Sequence, residues 1–268
     1  MRWTAPGAEY ALLSEQPSAC LASEGPLVRS GRALFGTPTL LGGQAAKAGL
    51  SCASCHINGR GNPHFLLSGV SAAPGTADVT NSFFSAARGN GRFDPVAIPD
   101  LAIPGKVPRD AQAKALEPFI RNLIVEEFGG EEPTPAMLDA LAVYVRAIGR
   151  CDPDTPLRRS VDDQLRGLDD GMAGAALMLE RGDRAGVRLS IAAMRHQLGL
   201  IAERYPERRA DLLAASRALQ TIGDGEGELP ALQRWKHGFD AGLAQTLRRN
   251  EDRSLYDTAR LRKALTRR

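Results

Sequence analysis

The residues best suited to chemistry lie in one short stretch, GLSCASCHINGRGNPH, which spans residues 49–64. It places Cys52 and Cys55 three residues apart, and His56 directly follows the second cysteine. Cysteines at this spacing lie on the same side of a helical turn, where two thiols can bond the two vinyl groups along one porphyrin edge and the next residue can direct an imidazole at the iron. The pattern therefore predicts one covalently attached haem per chain, with His56 as the proximal iron ligand.

Two other uses of the thiols are compatible with the same stretch. One is a zinc site, for instance a site made by Cys20, Cys52, Cys55 and His64. The other is a redox-active cysteine pair. A structural zinc site usually has a second closely spaced pair of ligands, and a redox pair normally lies in a βαβ unit, and the sequence shows neither. Haem attachment is therefore the favoured interpretation.

The ligand on the other face of the iron is a separate question. His64 can reach that face through the turns that Gly59, Gly61 and Pro63 permit, so it is a candidate sixth ligand as neutral imidazole. However, the residues after such a motif usually continue on the proximal side. We therefore expect an open or water-bound iron position, lined by the proline-rich loop that follows.

The other histidines and methionines are expected to be core or surface residues. They lie in or beside the apolar faces of predicted helices, where methionine commonly fills gaps. They are Met137, Met172, Met178, Met194, His196 and His237.

The elements that must position the motif are predicted to be helical. Before residue 151, helical periodicity is found in GPLVRSGRALF, EPFIRNLIVEEF and TPAMLDALAVYVRAIG, and Ser51 is suited to cap a short helix at SCASCH. Residues 58–108 form a long tract rich in Gly, Pro, Asn and Ser, whose apolar residues predict packing against a core. After the linker CDPDTP, four amphipathic segments with short connections predict an antiparallel bundle.

Residues 26–150 resemble the haem domains of the di-haem cytochrome c peroxidase family. The stretch GRALFGTPTLLGGQAAKAGLSCASCH is similar to the opening of those domains, and PGTADVTNSFFSAARGNGRFDP is similar to their loop on the far side of the haem. Gly31, Phe35 and Tyr144 are similar to the glycine and aromatic residues at which the terminal helices of cytochromes c cross. The resemblance implies a cytochrome c-like haem domain (26–151). With the bundle predicted from helical periodicity, we expect an all-α fold made of an N-terminal segment (1–25), this haem domain and a helical bundle domain (156–268).

Two departures from that family bear on function. The chain has one haem motif where the family has two, and it has neither Met nor His between Phe65 and Ala136. Because the second haem is absent, we expect a mono-haem electron carrier that acts with a redox partner protein. A further hypothesis is a non-enzymatic interaction protein, in which the bundle docks the redox partner. The alternative is a peroxidase-like enzyme with an open iron position, in which His64, Asp78 or Asp94 assists O–O cleavage.

Composition and the N-terminus set the expected partners and location. The 34 Lys and Arg nearly balance the 31 Asp and Glu, so the sequence predicts no nucleic-acid partner, and no apolar run reaches the roughly 18 residues of a membrane span. Glu9, Ser14 and Glu15 interrupt what would be the apolar core of a secretory signal. Since covalent haem attachment acts on exported chains, we expect a bacterial periplasmic protein whose signal was trimmed or lies upstream.

Cys20 and Cys151 flank the predicted haem domain. Because the terminal helices of such domains cross and an oxidising compartment permits the bond, we expect a disulfide between them. A disulfide requires Cα atoms about 5.5 Å apart. If the two Cα atoms are farther apart than this, the alternative is two free thiols.

Overall fold

The computed structural model describes residues 3–84, 87, 89–225 and 228–266, and helices dominate it, as the sequence predicts. The helices of the first half are α1 (Glu9–Ser14), α2 (Pro26–Phe35), α3 (Pro38–Leu41), α4 (Gly43–Lys47), α5 (Cys52–Cys55), α6 (Leu116–Asn122) and α7 (Pro135–Ala147). Those of the second half are α8 (Val161–Glu180), α9 (Arg184–Arg204), α10 (Arg209–Asp224), α11 (Leu229–Phe239), α12 (Gln245–Arg249) and α13 (Thr258–Leu265). Wider π-type turns extend α6 over Leu123–Glu127 and join α11 to α12 over Asp240–Ala244.

Short antiparallel strand pairs, which the sequence did not predict, join distant segments of the described chain. Strand β1 (Glu15–Gln16) pairs with β6 (Leu157–Arg158), β2 (Cys20–Leu21) with β5 (Ile148–Gly149), and β3 (Thr76–Ala77) with β4 (Val96–Ala97). The β2–β5 pair places Cys20 opposite Gly149, two residues before Cys151. The two cysteines form a disulfide with Cα atoms 5.4 Å apart, so the predicted bond is confirmed.

Helices α2 and α7 cross at Gly31, Phe35 and Tyr144, the residues that resemble the helix crossing of cytochromes c. A Cβ atom on Gly31 would overlap the carbonyl oxygen of Ala140 and lie 2.6 Å from the Cβ of Tyr144. Only glycine permits this approach of the two backbones. Beside the crossing, the rings of Phe35 and Tyr144 meet edge to face with centroids 5.2 Å apart.

Two alanine substitutions at helical glycines test this crossing. We expect Gly31→Ala to lower the free energy of unfolding by about 3 kcal/mol, because the added methyl group forces α2 away from α7. Gly199→Ala in α9 is the matched control: its added Cβ meets nothing within 4 Å. There we expect a gain of about 0.5–1 kcal/mol from helix propensity. Urea unfolding measures both, and an equal effect of the two substitutions would rule out the close crossing.

The second half of the chain shares its core with the first. Asp170 of α8 is only 2% exposed and accepts hydrogen bonds from Arg29 and Arg32 of α2. One turn on, a Cβ atom at Gly174 would lie 3.3 Å from the hydroxyl of Ser30 on α2 and 2.9 Å from that of Ser190 on α9. Helix α8 is therefore packed between α2 and α9.

The predicted helices of the second half are all present, and the faces expected to be apolar are buried along α8, α9, α10 and α11. In the described part of the chain, no helix combines the length and hydropathy that a membrane crossing needs.

Part of the tract over residues 58–108 packs against the core. Of the four apolar residues expected to do so, Ile98 and Leu101 pack there, whereas Val96 is 66% exposed and Ile103 is 41% exposed, so the prediction was wrong for those two. Phe65, Leu67 and Val70 are almost fully buried, and Ala102 and Val107 follow them into the same core. Its described part consists of turns, one short 3-10 turn that ends at Gly59, and the strands β3 and β4. The tract therefore forms a wall on one side of the cysteine motif.

Candidate functional site

The cysteine motif is built on a single helical turn. In α5, the hydroxyl of Ser51 accepts from the backbone N–H of Ser54, and the N–H of Ser51 donates to the hydroxyl of Ser54 at 3.0 Å. This capping box fixes the turn, and the predicted cap at Ser51 is confirmed. The N–H of His56 donates to the carbonyl of Cys52 at 2.8 Å, after which the chain leaves the helix. Cys52 and Cys55 thus begin and end one turn, and His56 follows it directly.

The imidazole of His56 is oriented from the opposite loop. Its Nδ1 lies 3.1 Å from the carbonyl oxygen of Pro99. A carbonyl can only accept, so Nδ1 carries the proton and Nε2 keeps its lone pair. Metal-binding histidines are commonly held in this way by a backbone carbonyl. Phe35 packs beside the ring, with centroids 6.3 Å apart.

A buried arginine holds the loop that carries Pro99. Arg60 is 9% exposed and donates to both carboxylate oxygens of Asp100 and to both of Asp154 in the linker, at 2.8–2.9 Å. The N–H of Leu101 donates to the carbonyl of Gly59 at 3.0 Å. These contacts attach residues 99–101 to the segment that follows the motif. The position of the acceptor for His56 is therefore determined by Arg60.

A second contact attaches the same segment to the motif. The side-chain amide of Asn62, which is 1% exposed, donates to the carbonyl of Ser54 at 2.8 Å. Its oxygen accepts from the N–H of His64 at 3.0 Å. Sequence reasoning missed Pro99, Arg60 and Asn62, although the arginine and asparagine stand within six residues of His56.

The two thiols are half-buried, and neither is in a disulfide. Burial raises the pKa of Cys52 to about 12, and burial together with the neighbouring Cys52 raises the pKa of Cys55 to about 12. Both therefore stay protonated at neutral pH. Redox-active pairs instead lower a thiol pKa to form a reactive thiolate, so the electrostatics disfavour the redox-pair interpretation.

The zinc alternative is wrong for the residue set considered. The sulfur of Cys20 is bonded to Cys151 and is not available as a ligand. Within residues 3–84, 87, 89–225 and 228–266, no group of three or more His, Cys, Asp or Glu side chains is placed to hold a metal ion.

His64 lines a cavity of about 570 Å³ whose lining residues do not include Cys52, Cys55 or His56. Its carbonyl accepts from the N–H of Ala5, so the N-terminal segment runs beside it. Among the hydrogen bonds and ring contacts of the described residues, none joins its imidazole to the motif. A role for His64 as sixth iron ligand stays a prediction.

The two carboxylates considered as acid or base groups differ in environment. Asp78 is 2% exposed: one oxygen accepts from the N–H and hydroxyl of Thr80, while Oδ2 has no hydrogen-bond partner among the described residues. Asp94 is exposed and bonds Asn90 at 3.4 Å. Their catalytic role stays a prediction.

The remaining methionines and histidines mostly occupy the positions expected of them. Met137, Met178 and Met194 are buried in the core, and Met172 packs against it. His237 is exposed, whereas His196 is half-buried beside a second cavity. The core role predicted for the methionines is confirmed.

Chemically, the motif offers two protonated thiols one turn apart and one imidazole with a free Nε2. This set can form two thioether bonds and one axial bond from nitrogen to iron. Cys52, Cys55 and His56 are therefore the residues that could hold a haem.

The stability of the haem-free chain is expected to depend on His56 below neutral pH. Burial lowers the pKa of His56 to about 4, below its ordinary value of 6.5, although the Pro99 carbonyl and Asp100 oppose the shift. Between pH 6.5 and 4 the unfolded chain binds a proton that the folded chain does not, so stability falls as the pH falls through this window. We expect a loss of about 2 kcal/mol from this group, because the ring is only half-buried. Burial also lowers the pKa of His196, so that residue adds to the loss.

Urea unfolding of the haem-free chain at several pH values measures this dependence. His56→Gln should flatten the curve between pH 6.5 and 4, whereas His237→Gln, which changes an exposed histidine, should leave it as it was. A curve unchanged by His56→Gln would contradict the burial of a neutral imidazole.

Comparisons of the chain with family models, with curated proteins and with solved structures found no match.

Proposed function

We propose that the chain is a mono-haem c-type cytochrome that carries electrons. The observation that carries the proposal is the hydrogen bond from His56 Nδ1 to the Pro99 carbonyl, beside two unpaired thiols on one turn. It supplies an oriented imidazole whose Nε2 is free to bind iron, next to two sulfurs spaced for one porphyrin edge.

A haem held there would supply one-electron chemistry between the ferric and ferrous states. The chain's own residues would attach the haem, orient the imidazole and limit the access of water. Cys52 and Cys55 anchor the group, and His56 keeps its proton at Nδ1. Phe35, which packs beside the imidazole and is itself buried against Tyr144, would limit the access of water to the ring.

The resemblance to haem domains of the di-haem cytochrome c peroxidase family supports the same proposal. Helices α2 and α7 cross at Gly31, Phe35 and Tyr144, which are the residues that carry the resemblance there. We propose that residues 26–151 are a cytochrome c-like haem domain and that a redox partner protein exchanges electrons with it.

A bacterial periplasmic location belongs to the same proposal. The Cys20–Cys151 disulfide supports it, because such bonds persist in oxidising compartments. Covalent attachment of haem to Cys52 and Cys55 also takes place outside the cytoplasm.

A peroxidase-like activity is the second candidate function. The observation that favours it is the composition of residues 66–135, which contain neither Met nor His, and Met137 is buried at the start of α7. An open position would admit peroxide, and Asp78 or Asp94 would then be the acid or base.

The spectrum of the ferric protein at neutral pH should be high-spin or mixed-spin, with ready binding of cyanide or imidazole, since His64 lines a separate cavity. His64→Ala should leave that spectrum unchanged. A purely low-spin spectrum that becomes high-spin in His64→Ala would instead identify His64 as the sixth ligand.

Redox titration and turnover separate the two candidate functions. For an electron carrier we expect reversible one-electron reduction and no multiple turnovers with hydrogen peroxide and a reductant. Sustained peroxide turnover that Asp78→Asn or Asp94→Asn abolishes would favour the enzyme, and a protein with no reducible centre would refute both.

A further inference from the structure

A second cavity, of about 410 Å³, borders the motif and shares Phe35 and Tyr144 with the proposed haem site. Helices α1, α2, α5, α7, α8 and α9 all contribute to its wall. From α5 it is lined by Ala53 and Ser54, the residues between the two cysteines, and neither cysteine nor His56 is among its lining residues. Its volume lies within the range of about 300–1,000 Å³ that is usual for small-molecule sites.

Two arginines without a carboxylate partner line this cavity. Arg159 donates from Nε to the carbonyls of Leu12 and Glu15, and Arg204 donates from Nη2 to the carbonyl of Leu13. Among the ion pairs of the described residues, none includes either arginine. The Nη2 of Arg159 and the Nε of Arg204 make no hydrogen bond among the described residues, so donors remain on both groups.

The two guanidinium groups bond the carbonyls of the neighbouring residues Leu12 and Leu13, so they lie near each other. Burial, and secondarily the charge of Arg204, lowers the pKa of Arg159 to about 10. The carboxylates that face them are occupied or in solvent: Asp163 accepts from the N–H of Ser160 at the N-cap of α8, and Glu203 is exposed. A bound anion would relieve this repulsion.

A buried hydroxyl group lies beside the arginines. Tyr256 is 4% exposed and lines the cavity, and its hydroxyl has no hydrogen-bond partner among the described residues. The guanidinium of Arg204 lies over its ring, 5.2 Å from the centroid. Buried hydroxyls are nearly always hydrogen-bonded, so this hydroxyl has a donor to offer to a ligand.

We propose that the cavity binds a small organic acid, with its carboxylate between Arg159, Arg204 and the hydroxyl of Tyr256. Guanidinium groups match the geometry of a carboxylate and pair with it through two N–H donors. The remainder of the ligand is apolar, because Trp3, Leu12 and Leu200 line the same space.

Fluorine NMR titration with para-fluorobenzoate tests the proposal on the full chain, with cyanide added to block any open iron position. Removing one hydrogen bond to the carboxylate in Tyr256→Phe should weaken binding about fivefold to tenfold, and Arg159→Gln should weaken it at least as much. Arg208→Gln changes an exposed arginine outside the cavity and should leave the affinity within about twofold. The neutral analogue para-fluorobenzamide should bind at least about tenfold more weakly.

Three results would overturn the proposal. They are no binding of para-fluorobenzoate, equal binding of the benzamide, and an affinity that Tyr256→Phe and Arg159→Gln both leave unchanged. Displacement by an equal concentration of inorganic phosphate would show a general anion site and would also overturn it. Tyr256→Phe keeps the ring and its packing, so the test stands even if Arg159→Gln does not fold.

Discussion

Haem content is expected to fall from about one per chain to none when Cys52 and Cys55 are both replaced by alanine. The reason is covalent: the two sulfurs at the ends of one helical turn are the atoms that would form the thioether bonds. Each single substitution should leave one thioether. The pyridine haemochrome of Cys52→Ala or Cys55→Ala should then shift to longer wavelength, because one vinyl group stays unsaturated.

The other cysteine pair provides the control for this experiment. Cys20 and Cys151 are bonded to each other, so their replacement by serine should leave the attached haem and its haemochrome band unchanged. Double-alanine protein that still carried covalent haem would contradict the assignment of Cys52 and Cys55.

Loss of the Cys20–Cys151 disulfide is expected to lower the free energy of unfolding by about 4 kcal/mol, since the bond closes a long loop in the unfolded chain. The two cysteines are separated by 131 positions, and the bond fixes β2 beside β5 at the end of α7. Urea unfolding of Cys20→Ser/Cys151→Ser measures the loss.

Reduction of the unaltered chain supplies the matching control. Dithiothreitol should destabilise the native sequence to the level of the double-serine variant and should not destabilise that variant further. Equal stability of the oxidised, reduced and variant proteins would show that the bond does not constrain the chain.

The local parts of the site could be predicted from the sequence because their signals are local. The spacing of Cys52 and Cys55, the cap at Ser51 and the helical periodicity of residues 134–149 all depend on neighbours within one or two turns. The disulfide was predictable because the terminal helices of a cytochrome c-like domain were expected to cross, and α2 and α7 do so at Gly31.

The features of the site and fold that could not be predicted from the sequence depend on contacts between distant residues. The acceptor for His56 is the backbone carbonyl of Pro99, 43 positions away. Because every residue has a backbone carbonyl, residue type does not indicate which one accepts the hydrogen bond. Arg60 reaches Asp154 across 94 positions, and nothing in the linker marks that aspartate as its partner. The strand pairs are two residues long, too short to show an alternating pattern.

The packing of α8 against α2 was also missed. Their apolar faces predicted burial but did not specify the partner helix. The contact is fixed by Asp170, a buried carboxylate that bonds Arg29 and Arg32, and an aspartate within a helix ordinarily indicates a solvated face.

The most direct test of covalent haem attachment is acid-acetone extraction of the chain after export with the haem-attachment machinery of a bacterial host. The haem should stay with the protein, and the pyridine haemochrome should give a ratio of haem to protein near one. Haem that passes into the solvent, or a protein that carries none although Cys52 and Cys55 are intact, would contradict this attachment.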